Sequence, residues 1–66
     1  MNILLNGESY ACADGVNIAQ LLRQLNLQGE RLAVELNEAI VPRSRFHRQT
    51  LKDRDKVEIV RAIGGG

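Results

Sequence analysis

The chain has one cysteine, one histidine, one proline, no tryptophan, and only Tyr10 and Phe46 as aromatics. A lone Cys12 excludes an internal disulfide framework. Cys12 and His47 together fall short of a structural zinc site, which takes four such ligands. The longest apolar runs are three or four residues, against the ~20 needed to cross a bilayer. No basic stretch followed by an apolar one opens the chain, so no signal peptide is expected. Charge of one sign is also lacking. Nine Lys+Arg against eight Asp+Glu leave a formal net charge of +1. That balance argues against a dedicated nucleic-acid binder. The charge is unevenly spread, however: residues 1–30 carry one Arg against three acids, and residues 31–66 carry eight bases against five acids. A soluble, cytoplasmic protein is expected.

At 66 residues there is room for one small domain, 1–66. Chains of this size bury only about 60% of their unfolded surface. Walling off a deep pocket and also supplying a catalytic apparatus is beyond such a domain, so a binding, carrier or accessory role is expected rather than enzymatic activity. Nine Leu, five Ile and five Val nonetheless suffice for one compact core.

The order of elements reads β-β-α-β-β-β. Asn2 to Asn6 is a short apolar run closed by Asn6-Gly7, a pair suited to the positive φ angles of a two-residue hairpin turn. Glu8 to Ala13 alternates, with Tyr10 and Cys12 on one face. Asn17 is a good N-cap with Gln20 in the capping-box position, and Val16 with Leu21 suits a hydrophobic staple. Ile18, Leu21, Leu22 and Leu25 then follow the spacing of one buried helix face, and Asn26 and Gly29 supply stop signals. Leu32, Val34 and Leu36 alternate in a further strand, and Asn37-Glu38 turns the chain. Ala39-Ile40-Val41 is a short strand ended by Pro42. Arg43 to Gln49 reads as a loop or single helical turn pinned by Phe46, Asp53-Arg54-Asp55 as a turn, and Lys56 to Ile63 as the last strand. A helix with one apolar stripe must bury it against a sheet. The expected fold is therefore α+β, a mixed four- to five-stranded sheet around one main helix. The first and last strands would lie side by side and parallel at its centre.

The last strand leads into Gly64-Gly65-Gly66, half of the chain's six glycines. Glycines cannot hold a strand, and residues 63–66 are expected to form a flexible tail. A thin arm without Cβ atoms can enter a narrow enzyme channel. Its terminal carboxylate is a poor electrophile and needs activation, usually by adenylation with ATP. A sulfur donor can convert an acyl-adenylate to a thiocarboxylate, whose sulfur is a far better nucleophile than a carboxylate oxygen.

Several segments then resemble one family: Met1-Asn2-Ile3-Leu4-Leu5-Asn6-Gly7, Cys12-Ala13, the helix with Leu21-Leu22, and Asn37-Glu38-Ala39-Ile40-Val41-Pro42-Arg43. Asp53-Arg54-Asp55, leading into Val57-Glu58-Ile59-Val60, and the terminal glycines complete the set. Across residues 1–66 the chain resembles the ubiquitin-like β-grasp sulfur carriers, and among them the ThiS-type carriers of thiamine biosynthesis. Gly64, a third glycine, is the one departure. The resemblance implies that Gly66 is adenylated by an ATP-dependent adenylyltransferase akin to ubiquitin-activating enzymes. A cysteine desulfurase relay would supply sulfur for its thiocarboxylate, and thiazole synthase would build that sulfur into the thiazole ring. Gly64 and Gly65 would thread the partners' active sites. The carrier would be a co-substrate, monomeric alone, with no cofactor or metal of its own. ATP would be used by the activating enzyme. The small subunit of molybdopterin synthase shares the fold and the chemistry, but that family tends to be longer, and its extra segment is not seen. A ubiquitin-like interaction or RNA-binding module with incidental glycines, and a covalent protein tag, are the other readings.

Among the remaining residues, Cys12 is expected to be a buried structural thiol, His47 a loop residue, and Phe46 a core plug. Arg43, Arg45 and Arg48 form a basic loop that either is simply solvated or meets an acidic partner patch or an ATP phosphate. If Ile3, Leu5, Val57 and Ile59 point inward, Leu4 and Val60 point outward on neighbouring strands. They would then form an apolar docking patch beside the tail.

Overall fold

The computed structural model describes residues 1–27 and 31–61. Strand β1 (Asn2–Leu5) turns through Asn6 and Gly7 into β2 (Glu8–Ala11). Both turn residues have positive φ, 50° and 85°, which asparagine and glycine tolerate and which matches the twist of a tight hairpin. The register pairs Asn2 with Ala11 and Leu5 with Glu8.

Helix α1 (Ile18–Gln24) begins at the anticipated capping box. The Asn17 side chain accepts from the Gln20 amide at 2.8 Å, and the Gln20 side chain accepts from the Asn17 amide at 2.9 Å. Each bond satisfies a donor that the first helical turn leaves open. Val16 and Leu21, the staple pair, are both buried in one core cluster. Asn26 ends the helix with φ of 60°. Gly29, the other expected stop signal, lies outside the described residues.

Strands β3 (Leu32–Leu36) and β4 (Ala39–Val41) form a second hairpin across Asn37-Glu38, and Pro42 ends β4. A 3-10 turn (Arg43–Arg45) follows, with Phe46 buried behind it as the plug the sequence suggests. Strand β5 (Lys56–Arg61) is the last described element.

The sheet order is β2-β1-β5-β3-β4. Strand β5 occupies the centre and runs parallel to β1, as the sequence predicts, and it is antiparallel to β3. This is the β-grasp arrangement: one mixed sheet wrapped on one helix. Ile3, Val34, Val41 and Val57 from the sheet share one buried cluster with Ile18, Leu21 and Leu22 from the helix, and Val16, Phe46 and Leu51 from the connecting segments complete it. Leu51 stands alone in a polar stretch, so no periodicity marks it as a core residue, yet it is fully enclosed. An isolated bridge between Asn17 and Thr50 holds its segment against the start of α1.

Candidate functional site

The glycine tail is reached through β5, so the site is built around the end of that strand. Gly64, Gly65 and Gly66, with Ala62 and Ile63, lie outside the described residues. What the structure supplies is the root of the tail. Strand β3 flanks β5 over five paired positions, from Leu36↔Val57 to Leu32↔Arg61. Strand β1 flanks it only at Leu4↔Lys56 and Leu5↔Val57, because β1 turns away at Asn6.

Two asparagines extend the hold on β5. At its start, the Asn37 amide donates to the Lys56 carbonyl at 2.7 Å, and the Asn37 Oδ1 accepts from the Lys56 amide at 2.9 Å. Further along, the Asn6 amide donates to the Val57 carbonyl at 2.9 Å. The Asn6 Oδ1 accepts from the Ile59 amide at 2.8 Å, while its Nδ2 donates to the Ile59 carbonyl at 3.4 Å. The base of β5 is also tied. Asp53 Oδ1 accepts from the Asn2 amide at 2.8 Å, and Asp55 Oδ2 accepts from the Lys52 amide at 2.7 Å. The Asp53-Arg54-Asp55 turn thus works through its carboxylates, which accept backbone N–H groups as turn aspartates commonly do.

Leu4 and Val60 face outward, 45% and 58% exposed. They are on neighbouring strands, but Leu4 is level with Lys56, so Val60 stands four residues further along β5. Lys56 and Glu58 occupy the outward positions between them and form an ion pair at 3.7 Å. The two side chains are therefore separate apolar points with charge between. Val60's cross-strand neighbour is the exposed Ala33. Ile40 on β4, 75% exposed, is a third outward apolar side chain. It escapes a reading of short β4 alone, because three residues are too few to show which face is buried.

On the inner side of the sheet, a groove of about 400 Å³ lies at the tail root, lined by Leu5, Asn6, Leu25, Leu27, Leu32, Ile59 and Arg61. The three arginines of the basic loop are exposed and belong to a different neighbourhood. Their segment leaves edge strand β4 and packs by its backbone on the start of α1. There the Ile18 amide donates to the Gln49 carbonyl, and the Ala19 amide to the Phe46 carbonyl. The structure does not gather them with the β1–β5 pair. His47 is exposed, and its carbonyl accepts from Asn17 Nδ2 at 3.2 Å. Cys12 corrects the expectation of a buried thiol. It is half-buried against the core rim, one residue past the end of β2, where the outer end of the β1–β2 edge is closed by its backbone bonds to Met1. Among the described residues no group of three or more His, Cys, Asp or Glu could hold a metal ion. No helix among them is long and apolar enough to cross a membrane.

Comparison with known proteins bears on residues that geometry alone leaves open. The ThiS family model matches residues 3–66, which takes in the glycines. The sulfur carrier protein ThiS of Escherichia coli (strain K12) is 33% identical over 66 residues, covering 100% of both chains. A thiazole synthase of Paramagnetospirillum magneticum is 38% identical over 66 residues, covering 100% of this chain and 20% of that protein. Among solved structures, the thiamine biosynthesis protein ThiS of Geobacter metallireducens superposes with a TM-score of 0.87 at 38% identity, covering 100% of both chains. With the β-grasp sheet, the central β5 and the match running through the last glycine, the chain belongs to the ThiS family of sulfur carriers.

Proposed function

We propose that this protein carries sulfur on the carboxyl group of Gly66 for thiazole formation in thiamine biosynthesis. It is a carrier, and the catalysis belongs to its partners. The ATP-dependent adenylyltransferase joins the Gly66 carboxylate to the α-phosphate of ATP, and pyrophosphate leaves. The terminal sulfur of a persulfide from the cysteine desulfurase relay then attacks the acyl carbon. A C–S bond forms, the C–O bond to the phosphate breaks, and AMP departs with the electron pair. A thiol cleaves the resulting acyl disulfide, supplying the two electrons that release the thiocarboxylate and ending as a disulfide itself. Thiazole synthase takes the resulting thiocarboxylate sulfur. Gly64 and Gly65 keep the approach to the acyl carbon free of Cβ atoms.

The observation that carries this reading is a centrally paired strand leading, within five residues of Arg61, to a glycine terminus that the family model also matches. The match to one segment of a thiazole synthase supports that enzyme as a partner, since a carrier and its client placed in one chain keep a high effective concentration. The same matches favour thiamine over molybdopterin chemistry.

Intact-mass measurement after incubation with ATP, the adenylyltransferase and a sulfur donor tests the reading. Replacement of one oxygen by sulfur, mapped to the C-terminal peptide, is the expected result. Mapping matters because oxidation of Met1 adds nearly the same mass. Deleting Gly65-Gly66 should abolish the exchange and leave the circular dichroism spectrum unchanged. Full exchange in the deleted chain would refute the assignment to Gly66.

A further inference from the structure

We infer that Asn6 is a positioning residue for the sulfur-carrying arm: its side chain stands in for a missing strand and braces β5 from the β1 side at the root of the arm, opposite the β3 pairing that runs to Arg61. The inference rests on the carrier reading above. Its basis is a gap in the ladder. Strand β5 runs on to Arg61, but β1 pairs with it only as far as Val57. The amide and carbonyl of Ile59 face the side that β1 has vacated.

A carboxamide is a peptide group in miniature, with one acceptor and one donor held in a plane. Asn6 Oδ1 takes the Ile59 N–H at 2.8 Å, and Asn6 Nδ2 reaches the Ile59 C=O at 3.4 Å. The backbone amide of Asn6 has already closed the last true rung, on Val57. One residue thus ends β1, starts the turn with φ of 50°, and continues the pairing of β5 beyond the end of β1.

The turn alone does not require this chemistry. Glycine and aspartate also accept positive φ in a tight hairpin, but glycine has no acceptor for the Ile59 N–H, whose 2.8 Å bond is the shorter and stronger half of the bracket. Ile59 is two residues before the end of β5 and seven before Gly66. The bracket therefore holds β5 from the β1 side close to the root of the arm. Asn6, Ile59 and Arg61 also line the groove at the tail root. An arm with a braced root loses less freedom when a partner draws it in. The effect should therefore appear in recognition rather than in the chemical step.

The test uses the full chain as the varied substrate of the adenylyltransferase, read by pyrophosphate release, together with hydrogen exchange on the free protein. Asn6→Gly keeps the turn and removes the bracket. KM for the carrier should rise about tenfold with kcat within about twofold, and the Ile59 amide should exchange about tenfold faster while Val34 is unchanged. Asn6→Asp keeps the turn and the Oδ1 acceptor and should hold KM within about twofold of the unaltered chain. An unchanged KM in Asn6→Gly, despite faster exchange at Ile59, would overturn the positioning role. Should Asn6→Gly fail to fold, Asn6→Asp decides, because a raised KM with Ile59 protection intact also overturns it. No pyrophosphate release from the unaltered chain would instead overturn the carrier reading itself, and the role of Asn6 with it.

Discussion

Leu4 and Val60 lie on adjacent strands and face the same way, yet they are four residues out of step, because β1 meets β5 at Leu4↔Lys56. At about 3.3 Å per residue they are separated by about 13 Å along the strand. A partner covering both must also meet Lys56 and Glu58 between them.

This spacing makes the two residues independent probes of docking. Leu4→Asp and Val60→Asp should each weaken binding to the adenylyltransferase by about tenfold, on the order of 1.4 kcal/mol. Sites so far apart without a shared partner combine additively to within about 0.5 kcal/mol. The double variant should therefore lose about a hundredfold. Both positions are exposed, so the fold should be retained. Calorimetric titration of the four proteins checks this, and unchanged affinity in both single variants would remove the sheet face from the interface.

Cys12 should prove dispensable for sulfur loading. Its backbone is what the fold uses. Its amide donates to the Met1 carbonyl at 2.9 Å, and its carbonyl accepts from the Met1 amino group at 2.8 Å. Alanine preserves both bonds. Cys12→Ala should load sulfur at the rate of the unaltered chain and cost less than about 1 kcal/mol of stability. Mass spectrometry of the C-terminal peptide gives the first quantity and urea denaturation the second. Loss of loading would assign the thiol a part in the relay.

Leu21 is fully enclosed between α1 and the sheet. Leu21→Ala leaves a cavity that a well-packed core closes only in part, at about 2–5 kcal/mol. In a domain of this size that is a large share of the total stability. A marked fall in the urea midpoint is expected. Arg23→Ala on the exposed side of the same helix should move it little, because arginine and alanine are both good helix formers. Equal shifts in the two variants would contradict the burial of the Leu21 face.

Much of the fold was legible because it depends on short-range chemistry. Asn6-Gly7 dictates a tight turn, Asn17 and Gln20 cap a helix, and Ile18, Leu21 and Leu22 fall on one face by spacing alone. The alternation of Leu32, Val34 and Leu36 likewise marks the inner side of β3. Leu51 was not legible, since a single apolar residue among polar neighbours has no period to betray it. The exposure of Ile40 was hidden because β4 is too short, and the half-exposure of Cys12 because alternation alone does not show where the core ends.

For the proposed site, the chemistry is read from the sequence: three glycines follow the last strand in the chain, with no side chains to obstruct an acyl carbon. Tertiary structure decided the geometry. Strand register separates Leu4 from Val60, the path from β4 to α1 carries the arginines away from the β1–β5 pair, and the early turn of β1 leaves Ile59 to the Asn6 side chain. Each of these joins residues far apart in the chain, Asn6 and Ile59 by 53 positions. Local pattern carries no record of such pairings, because register is set only when both strands pack against the same core.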